Sequence, residues 1–346
     1  MRSTGYPFAV AALAVACSAS APTSDEETGS QASAVTAAAK PPGLPDRYHM
    51  IPAGVALHES CVTQVPNDAT VELDGSVTLN GRRVRPPVPC AYPALNRYGQ
   101  AMPPTVPVSQ SPTAWVAASW QQWGPLNVSN SREFTRLDSG TFRVPNDPTN
   151  RSGVVLYFFP SLQGQTIDGS RGVIVQPVLQ WGHTPFFPSS GFSWTYTPWI
   201  YDDATPNKGF STFQLHVRED DQLYGQMILK QVDSAGNRLW QVLAQNLSNG
   251  EWSRFNRWLP AIQLRVANSA ALEIANFNQC EDLPSNGLIE FGAPRLFTGA
   301  AGTTQQVTST GTWGSCPTNC HPPDGSVCHF GNLVESTGAT TLLFWH

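Results

Sequence analysis

Short runs that alternate apolar and polar residues recur through the middle of the chain, and turn residues cut each one off. They fall at 141–145, 154–159, 173–181, 192–200, 213–217, 223–232, 239–247, 262–267, 271–277 and 288–292. Between them stand turn clusters such as Asp233-Ser234-Ala235-Gly236-Asn237 and Asn246-Leu247-Ser248-Asn249-Gly250. Evenly spaced short strands with little 3.6-residue periodicity predict an all-β fold. The architecture expected is an antiparallel β-sandwich, concanavalin-like or jelly-roll, over 114–297. No internal repeat is visible.

The pattern changes on either side. Thr70-Val71-Glu72-Leu73 and Ser76-Val77-Thr78-Leu79-Asn80 flank Asp74-Gly75, a hairpin signal, so 46–110 reads as a small N-terminal module or propeptide. Its end, 99–113, is Pro-rich and reads as a linker. Residues 18–45 are rich in Ser, Ala and Thr and predict a disordered tether. Residues 298–346 form a Cys-rich extension whose apolar end, Leu342-Leu343-Phe344-Trp345, suits an added edge strand.

Composition narrows the function classes. Of 346 residues only 13% are charged, while Gly (28), Pro (30) and Trp (11) are abundant, which suits turns and sheets and not a coiled coil. A net charge of −5 with no Lys/Arg cluster offers no track for nucleic acid. Arg2 followed by an apolar run at 8–16 reads as a signal peptide over 1–17, too short to span a membrane. Leu13-Ala14-Val15-Ala16-Cys17 resembles a lipobox, with a lipid anchor on Cys17, and ordinary cleavage near Ala19-Ser20-Ala21 is the alternative. The protein is expected outside the cytoplasm, secreted or as a cell-envelope lipoprotein, and monomeric. Export makes the other six cysteines disulfide candidates. Cys61 and Cys90 are expected to pair, and Cys280, Cys316, Cys320 and Cys328 allow three pairings. A zinc site at Cys316, Cys320, His321, Cys328 and His329 has no standard spacing, so neither metal nor cofactor is expected.

Two strands carry candidate chemistry. In 173–181, Gln176 and Gln180 share a face with Ile174 and Val178, opposite Val175, Leu179 and Trp181. In 271–277, Glu273 lies between Ala271 and Ala275 on one face, which leaves space around the carboxylate. Trp181, Trp194 and Trp199 are candidate groove residues, with core packing as the alternative. Asp202-Asp203 and Glu219-Asp220-Asp221 read as solvated turn acids, with calcium ligation as the alternative. His183 follows the glutamine strand. Neither Gly-x-Ser-x-Gly nor His-Glu-x-x-His occurs, so a carboxylate mechanism is the remaining hydrolase option.

These segments also carry a resemblance. Ser139-Gly140-Thr141-Phe142-Arg143-Val144-Pro145, then Val173-Ile174-Val175-Gln176, then Phe192–Trp199 and Ala271-Leu272-Glu273-Ile274 resemble, in order and spacing, successive segments of the fungal glutamic peptidases, the eqolisins. The plant neprosin-type peptidases are similar in layout but have Glu where this chain has Gln176. The resemblance implies a β-sandwich hydrolase acting on polypeptides in acid. Glu273 would be the general base and Gln176 the oxyanion donor, with Gln180, Trp181, Trp194 and Trp199 binding substrate. The rival from another class is a non-catalytic, lectin-like sandwich that binds glycan. A glycosidase would want paired carboxylates, and no Glu-x-Asp-x-x-Glu strand is present.

Overall fold

In a computed structural model, the described residues are 43–102 (without 53, 97 and 98), 116–118, 121–123, 133–299 (without 151–152, 166–171, 185, 187–191, 204–207 and 276–278), 305–306, 328, 330–334 and 340–345. The expected signal peptide, Cys17, the expected tether, most of the expected linker, Cys316 and Cys320 lie outside them. Among the described residues no helix is long and apolar enough to cross a membrane.

The N-terminal module supplies β1 (Tyr48–Ile51), β2 (Val55–His58), β3 (Val62–Gln64), β4 (Thr70–Val71), β5 (Val77–Leu79) and β6 (Arg82–Arg85). After β7 (Val116–Ala118) and β8 (Gln121–Trp123) come β9 (Phe134–Arg143), β10 (Val155–Gln165), β11 (Gly172–Trp181), β12 (Trp194–Asp202), β13 (Gly209–Ser211) and β14 (Leu215–Val217). Then follow β15 (Gln222–Val232), β16 (Arg238–Asn246), β17 (Trp252–Leu259), β18 (Leu264–Ala275), β19 (Leu288–Gly292), β20 (Arg295–Thr298), β21 (Gln305–Gln306), β22 (Phe330–Val334) and β23 (Thr340–Trp345).

Two sheets face each other. One runs β3-β13-β12-β11-β10-β18-β7, and the other runs β22-β23-β19-β9-β15-β16-β17-β4-β5-β6. Alternation decides what lies between them. Val173 and Val175 of β11 join Met227, Trp240 and Phe255 of the second sheet. Leu179 and Trp181 join Leu156, Leu272 and Trp345. The fold is therefore the all-β sandwich expected from the alternation. Gly140 marks a bulge in β9, where the pairing with β15 shifts by one residue. Its φ of +68° and the Gly292 carbonyl beside it exclude any side chain. Next to it, Ser139 Oγ accepts from Gly225 N–H at 2.7 Å, which ties β9 to β15 at that bulge.

Some expectations change. The terminal apolar run is not an edge: β23 lies between β19 and β22 and pairs with both. The predicted runs 262–267 and 271–277 belong to one strand, β18, whose register against β10 shifts between Phe159 and Ser161. β17 was not expected. Its inward positions are Ser253, Phe255, Arg257 and Leu259, and the arginine disguises the apolar face. Asp202 is not a solvated turn acid. It ends β12 fully buried and bonds Arg257 at 2.7 Å, and the Arg257 guanidinium lies over the Phe210 ring. Disulfides join Cys61 to Cys90, as expected, and Cys280 to Cys328.

The module does not stand apart. β3 adds a parallel strand beside β13, and β4 adds one beside β17, so residues 62–71 extend both sheets. The hairpin β1–β2 packs on the outer face of the first sheet. There Ile51, Val55, Leu57 and Cys61 meet Tyr157, Val178, Trp199 and Ala271.

Candidate active site

The outer face of the first sheet carries Ala271, Glu273 and Ala275 on β18, Tyr157 and Phe159 on β10, and Ile174, Gln176, Val178 and Gln180 on β11. Strand alternation places these together, and the apolar members share one cluster. Glu273 and both glutamines are buried. Trp199 belongs to the same face. Trp181 and Trp194 do not: they lie between the sheets, 5.2 Å apart between ring centroids, and are core residues.

Register decides which amide stands beside the carboxylate. Tyr157 of β10 pairs with Glu273 on one side and with Gln180 on the other. Gln180 in turn pairs with Thr195 of β12. Glu273, Tyr157, Gln180 and Thr195 therefore form one row across four strands. Two strand spacings put the Glu273 and Gln180 Cα atoms about 10 Å apart. Gln176 lies four residues further along β11, roughly 16 Å from Glu273 by strand rise and spacing. The pair expected from the sequence, Glu273 with Gln176, is thus not a level pair, and Gln180 takes that place. Alternation gives both glutamines the same face, and only strand pairing tells them apart.

The row is held from both sides. Gly54, in the turn after β1, donates its backbone N–H to Glu273 Oε2 at 3.0 Å. The Tyr157 hydroxyl donates to the Met50 carbonyl at 3.0 Å. Gln180 Nε2 donates to the Gly182 carbonyl at 3.0 Å, which steers the amide toward the end of β11. The Thr195 hydroxyl receives Gln214 Nε2 at 3.1 Å. Burial, and then the neighbouring Glu273 carboxylate, push the Tyr157 phenol well above its ordinary range, so it keeps its proton. His183 is half-buried in the loop after β11. Among the described residues no group of three His, Cys, Asp or Glu side chains could hold a metal ion.

No family model matches the chain, and no curated protein does. Among solved structures it is similar to scytalido-glutamic peptidase with a transition state analog inhibitor, at 14% identity and a TM-score of 0.42, over 67% of this chain and 100% of that one. A second structure of that peptidase, with a peptide-based transition state analog, gives 14% and 0.41 over 68% and 100%. SCP-B, a member of the eqolisin family in a complex with the tripeptide Ala-Ile-His, gives the same four values.

Proposed function

We propose that the protein is an exported hydrolase of glutamic-peptidase type, with Glu273 as general base and Gln180 as oxyanion donor. One observation carries this reading: a carboxylate and a primary amide stand level on one sheet face, either side of Tyr157. Glu273 takes a proton from a water as the water oxygen attacks a peptide carbonyl carbon. A Gln180 N–H donates to the oxygen that becomes negative. Collapse of the tetrahedral carbon breaks the C–N bond, and the proton held by Glu273 goes to the leaving nitrogen. Tyr157, still protonated, offers a further donor once its bond to Met50 is given up.

In this reading the hairpin β1–β2 is a plug. Its Gly54 N–H occupies the base, and its apolar side chains cover the face where a substrate would lie. Residues 46–110 act as a propeptide whose hairpin β1–β2 comes off the face after cleavage in the Pro-rich linker 99–113, while β3 and β4 stay paired in the two sheets. The test is cleavage of a denatured protein by the intact chain and by the chain nicked in that linker. Hydrolysis that appears or rises on nicking, and that Glu273→Gln removes, supports the reading. Equal hydrolysis by wild type and Glu273→Gln rejects the site.

A further inference from the structure

A second polar row crosses the same sheet face. Leu162 pairs with Val175, so Ser161 falls level with Gln176, and Ser161 pairs with Asn268 on β18 while Gln176 pairs with Trp199 on β12. The row reads Asn268, Ser161, Gln176, Trp199. It lies four residues along β11 from Gln180, about 13 Å by strand rise. Asn268 Nδ2 and Gln163 Nε2 both donate to Ser161 Oγ, at 2.8 and 3.3 Å. Three atoms of the row are unmatched: Asn268 Oδ1 and both amide atoms of Gln176 are buried with no hydrogen-bond partner among the described residues. Gln176 is fully buried and Asn268 only 3% exposed. Ile174 and Val178, which flank Gln176 on this face, pack against Val55, Leu57 and Cys61 of the module.

Each buried polar atom left alone weakens the fold, and between the sheets such atoms include the single N–H or O–H groups of Trp194, Tyr196 and Trp240. In this row the unmatched atoms are two acceptors and one amide donor group, set on the face that the module covers. An extended polypeptide presents main-chain N–H and C=O groups that match such a set without regard to its side chains. We propose that Gln176 and Asn268 form a remote subsite that holds the main chain of an extended polypeptide, about four residues from the bond at Glu273. This rests on the hydrolase reading for the location of that bond. The subsite itself binds whether or not the bond is cut. It makes the protein a binder of long, unfolded chains and a poor binder of dipeptides.

The experiment measures binding by calorimetry. The protein is the full chain carrying Glu273→Gln, intact and nicked in 99–113. The probes are acetylated, amidated peptides of Ala, Ser and Gly, two and eight residues long. After nicking, the octapeptide should bind at least 10-fold more tightly than the dipeptide. Adding Gln176→Met should erase most of that ratio. Gln176→Met in the wild-type chain should also raise the midpoint of thermal unfolding, since it replaces two unmatched polar atoms with apolar ones of similar size. A length ratio near one, before and after nicking, overturns the proposal, and so does a ratio that survives Gln176→Met. A lower unfolding midpoint for Gln176→Met assigns the amide to the fold and also overturns it. Length-dependent binding in a protein that hydrolyses nothing keeps the subsite and rejects the catalytic reading.

Discussion

At Glu273 the surroundings separate chemistry from stability. Its flanking residues on that face are alanines, and it accepts the Gly54 backbone N–H, a bond that the amide oxygen of a glutamine also accepts. Glu273→Gln should therefore leave thermal unfolding nearly unchanged and lower peptide hydrolysis by on the order of 10²–10⁴, the usual contribution of a positioned base. Gln180→Ala should cost on the order of 10²–10³ in kcat, the scale of one lost oxyanion donor. Single-turnover rates for both variants, beside circular dichroism melts, check the pair. A Gln180→Ala variant with wild-type kcat would remove that residue from the site. Arg257 shows the opposite balance. It is fully buried against Asp202 and far from the chemistry. Arg257→Met strands a buried carboxylate and should cost about 3–5 kcal/mol, whereas Arg257→Met with Asp202→Leu should recover much of the loss. Denaturant titration of the three proteins measures it.

The elements show what alternation can and cannot tell. β10, β11, β12, β15 and β16 were legible because their inward positions are apolar and regular. β17 was not, since an inward arginine is indistinguishable from an outward one until Asp202 is known to lie opposite. The bulge in β18 broke one strand into two apparent runs, because an extra residue reverses which parity faces inward. Alternation alone puts Gln176, Gln180 and Glu273 on outward positions of their strands, and only strand pairing gives their levels. Gln176 and Gln180 have the same parity, and the choice between them depends on how β10 is paired, which a single sequence leaves open. An apolar terminal run suits an edge strand, but β23 is the second strand of its sheet, paired on both sides. Trp345 is buried against Phe158, and its indole N–H donates to the Pro284 carbonyl at 2.8 Å. Trp345→Ala should destabilise by about 3–5 kcal/mol, the range for a large buried aromatic. Chemical denaturation followed by tryptophan fluorescence would show it. A loss below 1 kcal/mol would mean that β23 contributes little.

For the whole molecule the question is how a covered face works. Residues 62–71 extend both sheets, while the hairpin β1–β2 only lies on one of them. Cys61, bonded to Cys90, sits where the two parts meet. A cut in 99–113 leaves that disulfide intact, so the hairpin can lift while β3 and β4 stay paired. The pH dependence follows from the row beneath. A carboxylate base acts only when it is ionised, so kcat/KM should rise with pH as the base loses its proton. Tyr157 adds no falling limb between pH 7 and 10, because burial and the adjacent carboxylate hold its phenol above that range. The assay is hydrolysis of a denatured protein from pH 2 to 10 by intact chain, nicked chain and Glu273→Gln. The nicked chain is expected to be the most active, with a single rising limb that Glu273→Gln abolishes. A rising limb that persists in Glu273→Gln would point to a base other than Glu273. Inactivity of every form, together with retention on an immobilised glycan, would make the sandwich a lectin-like binding module and the buried row an element of its fold.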